Sequence, residues 1–170
     1  MILPANGHHL YVESYGPKNG HAVVLLHHGL GSVKAWKEQF LVLADAGYQV
    51  TAYDRWGYSG SDARPALDLP AFTTDVEDLN TILQEYRLRQ PILVGHSDGG
   101  TIALYYASLY PQGVSGLVVV GAHIYVEPKM EAGILGVKQA FESDQRFRLG
   151  LRHAHGEKFE QVFHNWFALV

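Results

Sequence analysis

Gly95-His96-Ser97-Asp98-Gly99 fits the pattern G-x-S-x-G. A serine hydroxyl is a weak nucleophile until its surroundings activate it. Here the surroundings have the required form. The apolar run Pro91-Ile92-Leu93-Val94 precedes the motif, and the segment from Thr101 to Leu109 behind it reads as a helix that closes before Pro111. A strand, a sharp turn and a helix in that order push Ser97 out on a strained backbone, with free N–H groups and the positive helix end beside its hydroxyl. Gly95 and Gly99 leave room where neighbouring backbones crowd the turn. Two other readings of the motif stay open: a glycine-rich turn with Ser97 as helix cap, and a phosphate site at the helix end. The second lacks a P-loop lysine and a G-x-G-x-x-G pattern.

A second glycine cluster, His28-Gly29-Leu30-Gly31, follows the buried run that ends at Leu25-Leu26. A loop that folds back here turns a main-chain N–H toward the nucleophile. The Leu30 and Asp98 N–H groups are therefore the expected oxyanion hole, because a tetrahedral acyl intermediate needs two such donors. His28, Gly29, Gly31, Arg55, Trp56 and His96 are the expected pocket residues. For Asp54, Arg55 and Trp56, in a turn-rich loop at a strand end, capping and stacking is an equally good reading.

The elements that must position these groups follow from periodicity. Asn6-Gly7 predicts a tight hairpin turn. Ala22 to Leu26 is continuously apolar, as in a strand buried on both faces. A helix carrying Trp36, Phe40, Leu41 and Leu43 follows, with Gly47 beyond its end. Val50 to Tyr53 reads as a strand. Thr74 and Glu77 have capping-box spacing before a helix with Val76, Leu79, Ile82, Leu83 and Tyr86 on one face. Val114 to Gly121 is a further strand. Strands alternating with helices predict a mostly parallel α/β sheet. From Pro128 only helical stripes follow: Met130, Ile134, Val137 and Phe141, then Phe159, Val162, Phe163, Trp166 and Phe167. The expected division is 1–127 as core and 128–170 as a partial helical cap.

Composition removes other classes. The 170 residues are 47% hydrophobic and 18% charged, with 13 Lys plus Arg against 17 Asp plus Glu. That argues against disorder, and the net charge of -4 gives no bulk attraction to nucleic acid or anionic lipid. With no cysteine there is no disulfide framework, thiolate metal site or cysteine nucleophile. The pairs His8-His9, His27-His28 and His153 with His155 show no recognised metal-ligand pattern. No signal peptide or membrane span is read, so a cytoplasmic protein is expected.

The order of His28-Gly29-Leu30-Gly31, Asp54-Arg55-Trp56-Gly57-Tyr58-Ser59-Gly60 and Gly95-His96-Ser97-Asp98-Gly99-Gly100 resembles the α/β-hydrolase superfamily. Gly121-Ala122-His123-Ile124-Tyr125-Val126-Glu127 looks like the strand end that leads into the cap of small-substrate members, valacyclovir-hydrolase-like and carbon–carbon-bond hydrolase-like proteins being nearest in style. The resemblance implies a hydrolase core with a partial helical cap, a Ser–acid–His triad in that chain order, and no metal or organic cofactor. It implies a serine hydrolase of a small carboxylic ester, thioester or lactone, acting through an acyl-enzyme on Ser97. A non-catalytic binding module of the same fold, a carbon–carbon hydrolase and a cofactor-free haloperoxidase are the alternatives.

In such proteins the acid and histidine follow later core strands, so both are expected beyond residue 170, with this chain ending inside the cap. Glu127 or Asp144 as acid, and His153, His155 or His164 as base, are the candidates within the chain. Two liabilities are expected: the last strand as an apolar sheet edge open to self-association, and the Phe159, Phe163 and Trp166 stripe without part of its seat.

Overall fold

A computed structural model describes residues 1–67, 72–125 and 127–168. Val126, within the segment leading into the cap, and the terminal Leu169 and Val170 lie outside the described residues. The strands are β1 (Ile2–Ala5), β2 (His8–Tyr15), β3 (Ala22–Leu26), β4 (Gln49–Tyr53), β5 (Ile92–His96) and β6 (Gly116–Val120). The helices are α1 (Lys37–Asp45), α2 (Thr73–Glu85), α3 (Asp98–Leu109), α4 (Pro128–Ser143), α5 (Gln145–His155) and α6 (Phe159–Phe167).

These strands form one sheet in the order β1-β2-β4-β3-β5-β6. β1 and β2 are antiparallel, and Asn6 and Gly7 take the positive φ angles, 48° and 89°, that their hairpin turn needs. β4, β3, β5 and β6 run parallel, as the strand–helix alternation predicts. β3 is central and wholly buried, which explains its unbroken apolar sequence. Its Val24 and Leu26 pack with Leu79 and Ile82 of α2 and Ile102 of α3. Val23 and Leu25 point the other way, to Val33 and to Phe40 of α1. Full burial of one such side chain contributes about 1.5–3 kcal/mol. The sheet is thus sandwiched, and the carboxyl ends of its parallel strands converge on one edge.

Three details depart from the sequence expectations. α2 starts at Thr73, with Phe72 at its N-cap in a left-handed conformation (φ 74°) and no side chain capping it, so Thr74 sits inside the first turn and forms no capping box with Glu77. Leu41 of α1 is exposed rather than buried, while the neighbouring Phe40 takes the buried face. α5 is an element the sequence expectation omits; its apolar face is short, with Phe147 and Leu151 four residues apart and joined to the cap cluster.

The cap stripe is partly seated, with Phe163 buried and Phe159 and Trp166 half-buried. Phe163 is buried, stacks on Phe141 at 3.7 Å between centroids, and shares a cluster with Leu151 and with Leu30 of the His28–Gly31 loop. The expected open edge is present: Leu117, Val118, Val119 and Val120 of β6 are all exposed. Among the described residues, no helix is long and apolar enough to cross a membrane.

Candidate active site

Ser97 stands between β5 and α3 with φ 53° and ψ −122°, a conformation that side chains other than glycine avoid. The crowding around it gives the glycines their reason. A Cβ on Gly95 would lie 2.3 Å from the Gly99 carbonyl oxygen, and one on Gly99 would lie 2.2 Å from that of Leu26. Hydrogen bonds lock the turn: the Ser97 N–H donates to the Val120 carbonyl at 2.8 Å, and the N–H groups of Gly100 and Thr101 donate to the Ser97 carbonyl. The strained serine is therefore held from β6 on one side and from α3 on the other. Ser97 caps no N–H with its hydroxyl, which removes the simple helix-cap reading.

The His28–Gly31 loop lies beside the elbow. Its turn closes with the Gly31 N–H donating to the His28 carbonyl at 2.9 Å. A Cβ on Gly29 would fall 2.1 Å from Nε1 of Trp166 and 2.7 Å from Oδ2 of Asp98. Gly29, the Asp98 carboxylate and the Trp166 indole thus meet at one point. The Leu30 N–H, one of the two expected oxyanion donors, has the ring Nδ1 of His28 at 3.4 Å as acceptor. The other donor, the Asp98 N–H, lies in the first turn of α3.

Asp54 fixes the far end of this loop, accepting from the Val33 N–H at 2.7 Å and, with its second oxygen, from the Gly60 N–H at 2.9 Å. Burial raises the pKa of Asp54, and the two amides oppose that rise.

Arg55 is buried beneath the elbow. Its Nη2 lies 3.4 Å from Asp98 Oδ2 and its Nη1 3.6 Å from Asp75 Oδ1, with the guanidinium 4.4 Å over the Tyr58 ring. Burial alone would lower its pKa, but Tyr58, Asp75 and Asp98 outweigh that and raise it, so it remains a cation. Among the described residues its Nε and Nη1 have no hydrogen-bond partner. Trp56 turns elsewhere. It stacks on His8 at 4.2 Å and donates Nε1–H to the Ala63 carbonyl, which is the stacking role left open for it.

His28 and His96 face each other with ring centroids 5.2 Å apart. Burial lowers the His28 pKa, helped by His96 and Arg55. His27 is wholly buried, bonds the His28 carbonyl through Nδ1, and accepts the Arg55 N–H at Nε2. Burial holds its pKa well below the ordinary histidine value.

The internal triad candidates are engaged elsewhere. His155 holds the Leu30 carbonyl through Nε2 at 3.0 Å and accepts the Ser59 N–H at Nδ1. It is a neutral strut for the loop, with its pKa lowered to about 4 by burial. Asp144 caps α5 by accepting from the Arg146 and Phe147 N–H groups. Glu127 stands at the N-cap of α4. His164 packs edge-on against Phe141 and Phe163, and His153 is exposed, with its carbonyl accepting from Lys34 Nζ.

The ring that does reach the serine is His123, whose Nε2 lies 3.5 Å from Ser97 Oγ. His123 lay in the segment read as the entrance to the cap, but nothing local marks it as a neighbour of Ser97. Trp166 likewise stands out in the sequence only as part of an apolar stripe.

No group of three or more metal-ligating side chains occurs among the described residues. A cleft of about 800 Å³ opens at the amino ends of the strands, lined by Asn80, Leu83, Arg87, Gln90 and Tyr106. It is at the opposite end of β5 from Ser97.

The family model for the alpha/beta hydrolase fold matches residues 22–166. The chain is 33% identical over 120 residues to the AB hydrolase superfamily protein YfhM of Bacillus subtilis, covering 71% of this chain and 42% of that protein. It is 30% identical over 168 residues to human serine hydrolase BPHL, covering 96% of this chain and 57% of BPHL. The chain thus spans about half the length of these curated relatives. Among solved structures, an esterase from Exiguobacterium antarcticum superposes with TM-score 0.73 at 27% identity, covering 98% of this chain and 67% of that one. One from Nitrososphaera gargenis, from a study of carboxylesterases, superposes with TM-score 0.79 at 17% identity over 100% of this chain and 73% of that one, a likeness of fold alone.

Proposed function

Because the chain belongs to the alpha/beta hydrolase fold family, we propose that it carries the nucleophile and oxyanion hole of a serine hydrolase of small carboxylic esters, thioesters or lactones. The observation that carries this reading is Ser97 itself. It is held at φ 53° at the start of α3, against the Gly29–Gly31 loop. In this reading Ser97 Oγ attacks the carbonyl carbon. The charge that develops on oxygen is taken by the N–H groups of Leu30 and Asp98. For Leu30 this requires release of the long contact to His28, which an oxyanion displaces because it is the stronger acceptor. The acyl group then rests on Ser97 until water removes it.

The names of the relatives, a serine hydrolase and an esterase, support this substrate class. The triad acid and histidine are proposed to come from sequence beyond residue 170, and a cytoplasmic location is proposed with them. Hydrolysis of short-chain p-nitrophenyl esters, a thioester and a lactone tests the reading. Turnover lost in Ser97→Ala supports it. Turnover that persists in Ser97→Ala assigns the chemistry to another group, and no turnover of any substrate by the protein that carries the downstream acid and histidine favours a binding module.

A further inference from the structure

We infer that His155 is a positioning residue for the oxyanion hole, a side chain of the cap that holds the Leu30 peptide, so that the hole is complete only while the cap is seated. This rests on the reading of Ser97 as nucleophile and of Leu30 as an oxyanion donor. Leu30 stands between Gly29 and Gly31, and glycine backbones turn more freely than any other. The peptide plane that joins Leu30 to Gly31 is held at both ends. Its N–H, that of Gly31, donates to the His28 carbonyl at 2.9 Å. Its carbonyl, that of Leu30, accepts from His155 Nε2 at 3.0 Å. The first tie lies within the loop; the second comes from α5.

His155 is 3% exposed, so water does not compete for this carbonyl. Its partners fix its tautomer. A carbonyl only accepts and the Ser59 N–H only donates, so Nε2 carries the proton and Nδ1, 3.3 Å from that N–H, is bare. Both nitrogens of a neutral imidazole are thus used, and burial keeps the ring neutral.

The ring clasps two loops of the core, that of Leu30 and that of Ser59. Asp54 clasps the same two loops through Val33 and Gly60. Asp54 belongs to the core and stays whatever the cap does; His155 moves with the cap. Other cap contacts bear on the same loops. The Leu30 side chain packs with Phe141, Leu151 and Phe163, and the Trp166 indole lies against Gly29. Lys34 Nζ donates to the His153 carbonyl at 2.9 Å, and Lys158 Nζ donates to the Ser61 carbonyl. The end of α5 is therefore latched onto the core where the oxyanion loop is formed.

The Leu30 N–H is called on only when charge develops on the substrate oxygen. Loss of the strut should therefore lower kcat and leave KM near its native value.

The experiment uses the protein that carries the downstream acid and histidine, with p-nitrophenyl butyrate as substrate and kcat counted per Ser97 labelled by a fluorophosphonate, so that unfolded chains do not enter. His155→Met should lower kcat about 10-fold, a part of the 10²–10³-fold that loss of a whole oxyanion donor costs. Affinity for a trifluoromethyl ketone, whose carbonyl carbon takes Ser97 Oγ and whose oxygen becomes the oxyanion, should fall by the same factor. His155→Gln, whose amide N–H reaches the same carbonyl, should stay within about 3-fold of native in both. Ring nitrogen NMR of the native protein is a further readout that needs no variant to fold, and His155 should show the Nε2–H tautomer. A native kcat in His155→Met, ketone affinity unchanged while turnover falls, a glutamine variant no better than methionine, or an Nδ1–H tautomer each overturns the inference and leaves Ser97 as nucleophile. No labelling of native Ser97 overturns the nucleophile reading as well.

Discussion

At the scale of single residues, replacing Arg55 by methionine would remove a cation from between two carboxylates, Asp75 and Asp98. Arg55 is 1% exposed, so water cannot take its place. Arg64, with Nη1 at 3.0 Å from Asp75, keeps that acid paired, but Asp98 loses its ion-pair partner among the described residues. Breaking a buried pair from one side costs about 3–5 kcal/mol. Arg55→Met is therefore expected to lower unfolding free energy by about 3 kcal/mol in urea titrations, and Asp98→Asn on top of it to restore part of the loss. A drop below about 1 kcal/mol would show that the ion pairs do not hold the elbow.

Single residues also divide what could be read in advance from what could not. Gly95, Ser97 and Gly99 were legible because backbone sterics at one turn dictate both type and spacing. The Gly29–Gly31 loop was legible for the same reason. His123 and His155 were not, because their partners lie 26 and 125 residues away and no local pattern encodes such contacts.

At the scale of elements, the hairpin was legible from Asn6-Gly7 and the central strands from their apolar runs, while α5 was not. It carries Arg146, Arg148 and Arg152, and its apolar face is short, with Phe147 and Leu151 in the cap cluster and His155 buried one turn on. Its role is to bring His155 to the Leu30 carbonyl. That makes the α5 contact sensitive to acid. The neutral ring is favoured in the fold, where the pKa is about 4, and the unfolded chain has the ordinary value of 6.5. Between these values the unfolded state binds more protons, so stability is complete above about pH 6.5 and falls as pH drops. His27 acts in the same direction. From pH 7.5 to 5.5 the loss from His155 should be about 1 kcal/mol. Urea midpoints across that interval measure it, and His155→Gln should flatten the slope. A native midpoint that stays level from pH 7.5 to 5.5 would contradict the buried neutral ring.

For the molecule as a whole, β3 at the centre, α1 on one face, and α2 with α3 on the other bring two glycine turns together at the carboxyl edge of the sheet. The cap helices add Trp166 and His155 to that edge. The sheet ends at β6, with Val118 at 49% and Val120 at 55% exposure. An apolar edge strand with open N–H and C=O groups is a template for another strand. We propose that copies of this chain associate through β6. Light scattering should show mass rising with concentration, and Val118→Lys with Val120→Lys should return the chain to monomer. A native chain that stays monomeric at high concentration would refute this.

The proposed function stands on Ser97 as a live nucleophile. Intact-mass spectrometry after incubation with a fluorophosphonate tests it most directly, with peptide mapping to place the adduct. One phosphonyl group per chain is expected, located on Ser97 and absent from Ser97→Ala. A native chain that gains no mass, or an adduct that persists in Ser97→Ala, would contradict it.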